Sequence, residues 1–383
     1  MFMKILLALY HDCNKEERSM ELINCCKRLG HLHLVSYVAP TDCDNEKITC
    51  HLVDKSSPIA LLHFINLIKK IAKAEKPDII FLHDSDCSVV IPYIKKILPQ
   101  SKLVYDSSEF DKPMKNRKKK KRNNGFWIAL KGVLTQFRVR SERVYVKYSD
   151  LVFAANEERA SMMVEYMDLK SKPLVFDNMH KIKDDYDKES CNEKYGNYLK
   201  PNKFKVLFAG GIDEERLTFD YVKSFVTLPN KYELIIVGSA SPAALMKFKE
   251  MIVNNGVENR IHYLGFVTRQ ELKYLIDNTD ASVVVFDKDS YNTLYCASGK
   301  FYESLFQGKP ILTSENPPLK RLCEMYGIGV SNDDYAQGVI ELYNNYEYYK
   351  SNVCEYVEKL DYDNRIENLA NQVMEHLYVE KSI

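Results

Sequence analysis

The residue types best suited to chemistry gather in one stretch, 281–313, which reads ASVVVFDKDSYNTLYCASGKFYESLFQGKPILT. An apolar, β-branched run leads into a polar loop. A helix starting near Ser298 or Gly299 then runs FYESLFQ until Gly308-Lys309-Pro310 stops it. Ser298 is an N-cap type of residue, and the unpaired N–H groups of a helix start carry partial positive charge where a diphosphate could rest. Lys300 puts a full positive charge into the first turn, which is unfavourable in an isolated helix and sensible beside an anion. Glu303, about one turn on, can accept hydrogen bonds from two vicinal hydroxyls, as a ribose presents. The bland alternative is a solvated Lys and Glu on a surface helix. A second candidate is Phe208-Ala209-Gly210-Gly211. Paired glycines after a strand let the backbone approach a ligand and offer N–H groups to phosphate, or simply make a turn. Neither G-x-x-x-x-G-K-[ST] nor G-x-G-x-x-G occurs.

Candidates for a general base stand at strand ends of the first half: His11 and Asp12, His83 and Asp84, and Asp106 with Glu109. Each carboxylate also fits a helix cap or turn, and His83 equally fits a hydrogen-bonded structural histidine. Acid pairs of the D-x-D type at 42/44, 84/86, 287/289 and 361/363 could hold a divalent ion on a diphosphate. With 53 Asp and Glu such pairs arise by chance. The ten cysteines form no C-x-x-C pair, and no Cys or His group has zinc spacing, so neither a metal nor another cofactor is expected.

Positioning these residues requires alternating strands and helices. Apolar runs at 4–10, 33–38, 79–82, 102–105, 151–154 and 174–176 read as strands, as do 205–209, 233–237, 261–264, 281–286 and 310–313. Helical periodicity fills 17–29, 58–73 and 270–277, and returns at 341–383. The expected fold is α/β, with two doubly wound Rossmann-like domains facing a cleft into which the carboxyl ends of both sheets point. Residues 1–180 form the first domain, 181–203 a polar linker, and 204–360 the second domain. Residues 361–383 form a helix returning to the first.

The chain has 383 residues, 45% of them hydrophobic and 28% charged, with a net charge of +1. That composition excludes disordered, collagenous and multi-span membrane chains. Reduced thiols and the lack of a signal sequence point to the cytoplasm. Charge is uneven, however: residues 112–147 carry +12 and the remainder −11. Residues 115–124, KNRKKKKRNN, read as a loop, with Lys118, Lys119, Lys120, Lys121 and Arg122 at its centre. Phe126, Trp127, Leu130, Val133, Leu134, Phe137 and Val144 then recur on one helical face. A polybasic loop beside an aromatic-edged amphipathic helix suits an anionic membrane surface, here the inner leaflet, although the apolar face also fits ordinary core packing. Aromatics are not interleaved with the basic run, so nucleic acid is not the expected partner.

The second half resembles the donor-binding domain of GT-B fold glycosyltransferases, specifically family 4 and relatives in bacterial surface-polysaccharide assembly. The matching pieces are KVLFAGGID, ELIIVGSASP, RIHYLGFVTRQELKYLIDNTDASVVVF and SGKFYESLFQGKPIL. In the first half KPDIIFLHDSD, KLVYDSSEFDKP and SDLVFAANEERASMM with KPLVFDNMH resemble acceptor-domain stretches. The resemblance implies that Glu303 binds the nucleotide ribose, that Lys300, Ser298, Gly210 and Gly211 face the diphosphate, and that backbone at Phe266-Val267 meets the base. Gly238 would lie under the nucleotide. Arg216 is the only cation near the place of the family's usual Arg and Lys-Gly. Of the base candidates the resemblance favours Asp106, with Glu109 close behind. Tyr295 stands where the family's E-x7-E pattern has its first acid. The implied activity is metal-independent transfer of a sugar from a UDP- or GDP-sugar to a lipid-diphosphate-linked or oligosaccharide acceptor, retaining or inverting. Rival readings are a sugar-nucleotide epimerase and a non-catalytic partner subunit of another glycosyltransferase.

Overall fold

The computed structural model of the chain describes residues 3–41, 45–57, 59–110, 126–213 and 217–378, without the side chains of 45 and 126–134. Two compact units account for them. The first takes the described residues up to Asn178 and from Tyr362 onward; the second runs from Met179 to Asp361.

In the first unit the strands are β1 (Met3–Ala8), β2 (Gly30–Ser36), β3 (Ile48–Leu52), β4 (Ile79–His83), β5 (Lys102–Ser107), β6 (Leu151–Ala154) and β7 (Leu174–Val175). They form one sheet in the order β3-β2-β1-β4-β5-β6-β7, every pair parallel. β4 and β6 are buried at every position and β5 at every position after Lys102, since helices cover both faces of such a sheet, and this is why they read as apolar runs. β1 pairs with both β2 and β4, so the strand order reverses there. The loops leaving these strands part to opposite faces and leave a crevice at the carboxyl edge. Helix Arg365–Tyr378 packs Leu369, Val373 and Leu377, one turn apart, into the same core as helix Glu17–Leu29. Arg365 donates to both carboxylate oxygens of Glu21, at 2.8 and 3.2 Å, fixing the register of the two helices.

The second unit repeats the plan with β8 (Phe204–Ala209), β9 (Tyr232–Val237), β10 (Ile261–Tyr263), β11 (Ala281–Val284), β12 (Ile311–Thr313) and β13 (Gly329–Ser331). Their order is β10-β9-β8-β11-β12-β13, again all parallel, with the reversal between β8 and β11.

Three features depart from the sequence reading. β3 and β13 are edge strands that it did not anticipate. β3 (ITCHL) buries only Ile48 fully, and β13 is three residues long, so neither carries an apolar run. Residues 181–203, expected as a linker, lie inside the second unit. There Lys188–Tyr195 is a helix capped by Asp187, whose carboxylate accepts from the Glu189 and Ser190 amides. Ile182, Cys191 and Tyr195 of the segment are buried in the core beside Leu272 and Tyr274, and Tyr186 and Leu199 pack against it half-buried. So sparse an apolar stripe leaves no periodicity to detect.

Candidate functional site

In the second unit, Gly210 and Gly211 follow β8 and Gly238 follows β9. Gly211 has φ +79° and Gly238 φ +128°, both in the region that favours glycine. A Cβ on Gly211 would lie 2.1 Å from the Ser239 carbonyl oxygen, and one on Gly238 would lie 2.4 Å from the Gly211 nitrogen. The glycines therefore serve a backbone-to-backbone contact between two strand ends. This corrects the reason given for Gly210 and Gly211 above. Their amides do not stand open to phosphate: both donate to the Val237 carbonyl, at 3.0 and 2.9 Å. Gly238 in turn donates to the Gly265 carbonyl at 2.8 Å, and its own carbonyl accepts from the Tyr263 hydroxyl at 2.7 Å. Three adjacent strand ends are thereby locked together.

Gly265, with φ +76°, turns the chain toward Phe266, which is 81% exposed. Thr268 then starts helix Arg269–Asp277 with a full capping box, its hydroxyl accepting from the Glu271 amide and Glu271 accepting from the Thr268 amide. Phe266 and Val267 thus sit on a turn pinned at both ends. An aromatic ring held bare in this way is what stacking against a flat base needs.

Glu303 lies on helix Gly299–Leu305 with its side chain 7% exposed. Two cations and an imidazole face the carboxylate at ion-pair rather than hydrogen-bond distance: Arg269 Nη1 at 3.9 Å, Lys300 Nζ at 4.0 Å and His180 Nδ1 at 3.8 Å. Burial pushes its pKa up, but His180, Lys300 and Arg269 together hold it below the usual carboxylate range. The group is an ionised acceptor. Gly299 makes this possible, since a Cβ there would lie 2.1 Å from His180 Nδ1. Ser298 takes the N-cap position by its backbone, but its hydroxyl makes no capping bond, contrary to the expectation from its type. Arg216 lies outside the described residues, and so do Lys118, Lys119, Lys120, Lys121 and Arg122. Trp127 lies in helix Phe126–Tyr145, its side chain likewise outside the description.

In the first unit the candidates at the strand ends converge at the β1–β4 reversal. His83 ends β4 and pairs in register with Asp106 of β5. His83 Nδ1 lies 2.7 Å from Asp106 Oδ2. Asp106 is also gripped by Arg18, whose Nε donates to Oδ2 at 2.9 Å and whose Nη2 donates to Oδ1. Arg18 continues through Nη1 to the Phe176 carbonyl and to Asn178 Oδ1 (3.0 Å), with its guanidinium 4.4 Å from the Phe176 ring centroid. Asp106 is 1% exposed; burial favours its neutral form, yet Arg18 and His83 override this and hold it far below the usual range. A carboxylate so occupied does not take a proton near neutral pH. The geometry makes Asp106 a positioning residue for His83 rather than the base the sequence favoured. Glu109 is exposed; its amide donates to Asp84 Oδ1 at 3.2 Å.

His83 is buried, which alone lowers its pKa, but Asp84 and Asp106 raise it to about 9. His11 packs edge-on against it, ring centroids 5.2 Å apart, and burial and the His83 charge lower the pKa of His11. Asp84 has φ +58°, an uncommon conformation for a residue with a Cβ. It is held by the Ser108 amide at 2.8 Å and hydroxyl at 2.7 Å, both donating to its carboxylate. Strain fixed by such a network is typical of functional sites. Asp12 instead caps a short turn through the Asn14 amide.

Sequence reasoning missed Arg18, His180 and Arg269. Arg269 did carry a signal, the same as Lys300: a cation in the first turn of a helix. His180 and Arg18 reach their partners only through the fold.

Two parallel, doubly wound units of this topology have the fold of the GT-B glycosyltransferase class. More particularly, residues 192–352 match the family model described as Glycosyl transferases group 1, and the matched segment includes Glu303, Arg269 and the glycine turns. An uncharacterized glycosyltransferase of Methanocaldococcus jannaschii is 24% identical over 225 residues, 57% of this chain and 52% of that protein. The chain thus spans about half the length of that curated relative. Among solved structures, Anabaena HepE in complex with UDP-glucose has a TM-score of 0.67 at 14% identity, covering 97% of this chain and 99% of that one. The lipopolysaccharide outer core galactosyltransferase WaaB has a TM-score of 0.59 at 12% identity, covering 96% and 99%.

Proposed function

We propose that the protein is a glycosyltransferase that takes a sugar from a UDP- or GDP-sugar and passes it to a lipid-diphosphate-linked or oligosaccharide acceptor in the synthesis of capsule, exopolysaccharide or lipopolysaccharide. The observation that carries this reading is the ionised, nearly buried Glu303 carboxylate ringed by His180, Arg269 and Lys300, with Glu303 inside the segment that matches the Glycosyl transferases group 1 model. Glu303 accepts hydrogen bonds from the ribose hydroxyls, and Phe266 stacks on the base. Lys300 and Arg269 offset the diphosphate charge without a metal, stabilising the leaving group as its bond to the sugar breaks. The acceptor oxygen forms the new bond to the anomeric carbon. Its proton passes to a general base, a role for which Glu109 stays the candidate.

HepE bound to UDP-glucose supports a nucleotide-sugar donor, and WaaB supports a surface-polysaccharide role. Purified full chain incubated with UDP- and GDP-sugars is expected to release nucleoside diphosphate slowly, and faster with a lipid-linked acceptor. Interconversion of sugar epimers without diphosphate release would replace this reading with the epimerase. Binding without any turnover would favour the non-catalytic partner, which Tyr295 in place of an acid already favours.

The basic segment supports docking on the inner leaflet. Among the described residues no helix is long and apolar enough to cross a membrane. Replacing Lys118, Lys119, Lys120 and Lys121 with Gln should cut flotation with anionic vesicles several-fold; equal flotation contradicts the membrane claim.

A further inference from the structure

We propose that the first unit binds one divalent transition-metal ion of the zinc class on His11, Glu16 and His83. The site rests on geometry that the donor reading does not use. The three donor atoms, two imidazole nitrogens and one carboxylate oxygen, lie within 4.8 Å of one another. Glu16 Oε2 is 3.4 Å from His11 Nε2 and 3.9 Å from His83 Nε2. A tetrahedral ion with bonds of about 2.0–2.1 Å separates its ligand atoms by roughly 3.3 Å; the His11–Glu16 pair already meets this, and the other separations, none above 4.8 Å, close onto the ion as it binds. Asp84 Oδ2 stands 3.2 Å from His83 Nε2, placing a second carboxylate beside the same point.

His83 is built as a ligand is built. Its residue is 1% exposed, and Nε2 has no hydrogen-bond partner although buried. Nδ1 meets the Asp106 carboxylate, which Arg18 clamps from the other side. A carboxylate on one ring nitrogen fixes the ring and aims the other nitrogen at the ion, the usual outer support of metal-bound histidine; the ion takes the place of the proton that nitrogen otherwise carries. His11 Nε2 meets the Ser19 hydroxyl at 2.6 Å, a partner that can rotate away. Glu16 is the N-terminal flanking residue of helix Glu17–Leu29, yet its side chain makes no capping bond. An ion on three protein ligands keeps a position for a water or substrate hydroxyl, whose pKa it lowers.

A second histidine group serves as the control. His33 Nδ1 and His51 Nε2 are 3.3 Å apart on β2 and β3, with His31 adjacent, but these do not bring a third ligand atom to one point.

The test uses full-length protein stripped with chelator and titrated with Zn²⁺ by calorimetry and with Co²⁺ by visible absorption. One ion per chain is expected, weakened at least tenfold by His11→Gln and by Glu16→Gln and unchanged by His33→Gln. Glu16 is 50% exposed in its side chain, so its variant tests the site even if His83→Gln fails to fold. Absence of saturable binding overturns the proposal. So does binding that survives both His11→Gln and Glu16→Gln, or that disappears with His33→Gln. None of these readouts depends on sugar transfer, so they fail or succeed separately from the donor reading.

Discussion

Asp106→Ala is expected to cost the first unit about 3–5 kcal/mol, because it removes one partner of a buried ion pair and leaves the other charge unpaired. Arg18 and Asp106 are 3% and 1% exposed in their side chains, so water cannot replace the lost carboxylate without opening the crevice. His83 loses its Nδ1 partner in the same substitution. Against a typical domain stability of about 5–15 kcal/mol, a loss of this size lowers the urea midpoint of the first unit sharply and leaves that of the second near its original value. Its pH dependence has a definite sign. In chelator-treated protein His83 has a raised pKa, so its contribution is complete below about 6.5 and is lost as pH rises through about 9. Asp106 has a depressed pKa, so its contribution is complete above the ordinary carboxylate range and is lost in strong acid. The gap between wild type and variant should therefore be widest between about pH 5 and 6.5 and narrow at both extremes. Urea titrations at pH 5.5 and pH 9.5 measure it; a gap that is constant with pH contradicts the charge network.

Glu303→Ala is expected to lower affinity for UDP or GDP by about tenfold to a hundredfold, as losing one or two hydrogen bonds to a charged group implies. The wild-type carboxylate is ionised before ligand arrives, so no proton need leave on binding. The variant also leaves His180, Arg269 and Lys300 facing one another without their shared anion. Glu303→Gln keeps the shape and one acceptor, and should fall between wild type and Ala. Calorimetric titration separates the three; equal affinities would remove Glu303 from the site.

Most of the architecture was legible because a parallel sheet covered on both faces turns its strands into continuous apolar runs. Ile79 to His83 and Leu151 to Ala154 are buried at every position, and their sequences show it. β3 escaped because an edge strand exposes half its residues, and helix Lys188–Tyr195 because only two of its eight side chains reach the core. At the site, Lys300 and Glu303 were legible from a local anomaly, a cation at a helix start. The glycines were legible as glycines, yet their purpose was not. The packing of Gly211 against Ser239 and Gly238 depends on strand order, which no local pattern encodes. The His11, Glu16 and His83 group is scattered over a loop, a helix start and the end of β4, so no spacing rule for metal ligands applies to it. Arg18 looks like any solvated helix residue until β5 is placed beside it.

The central claim is that the second unit holds the nucleotide at the turn around Phe266 and the helix bearing Glu303. Amide hydrogen exchange of the full chain with and without saturating UDP or GDP tests it most directly. Ligand should slow exchange across 263–270 and 298–304, and Glu303→Ala should reduce that protection at the same nucleotide concentration. Protection confined to residues 3–178, or none with either nucleotide, would contradict the account.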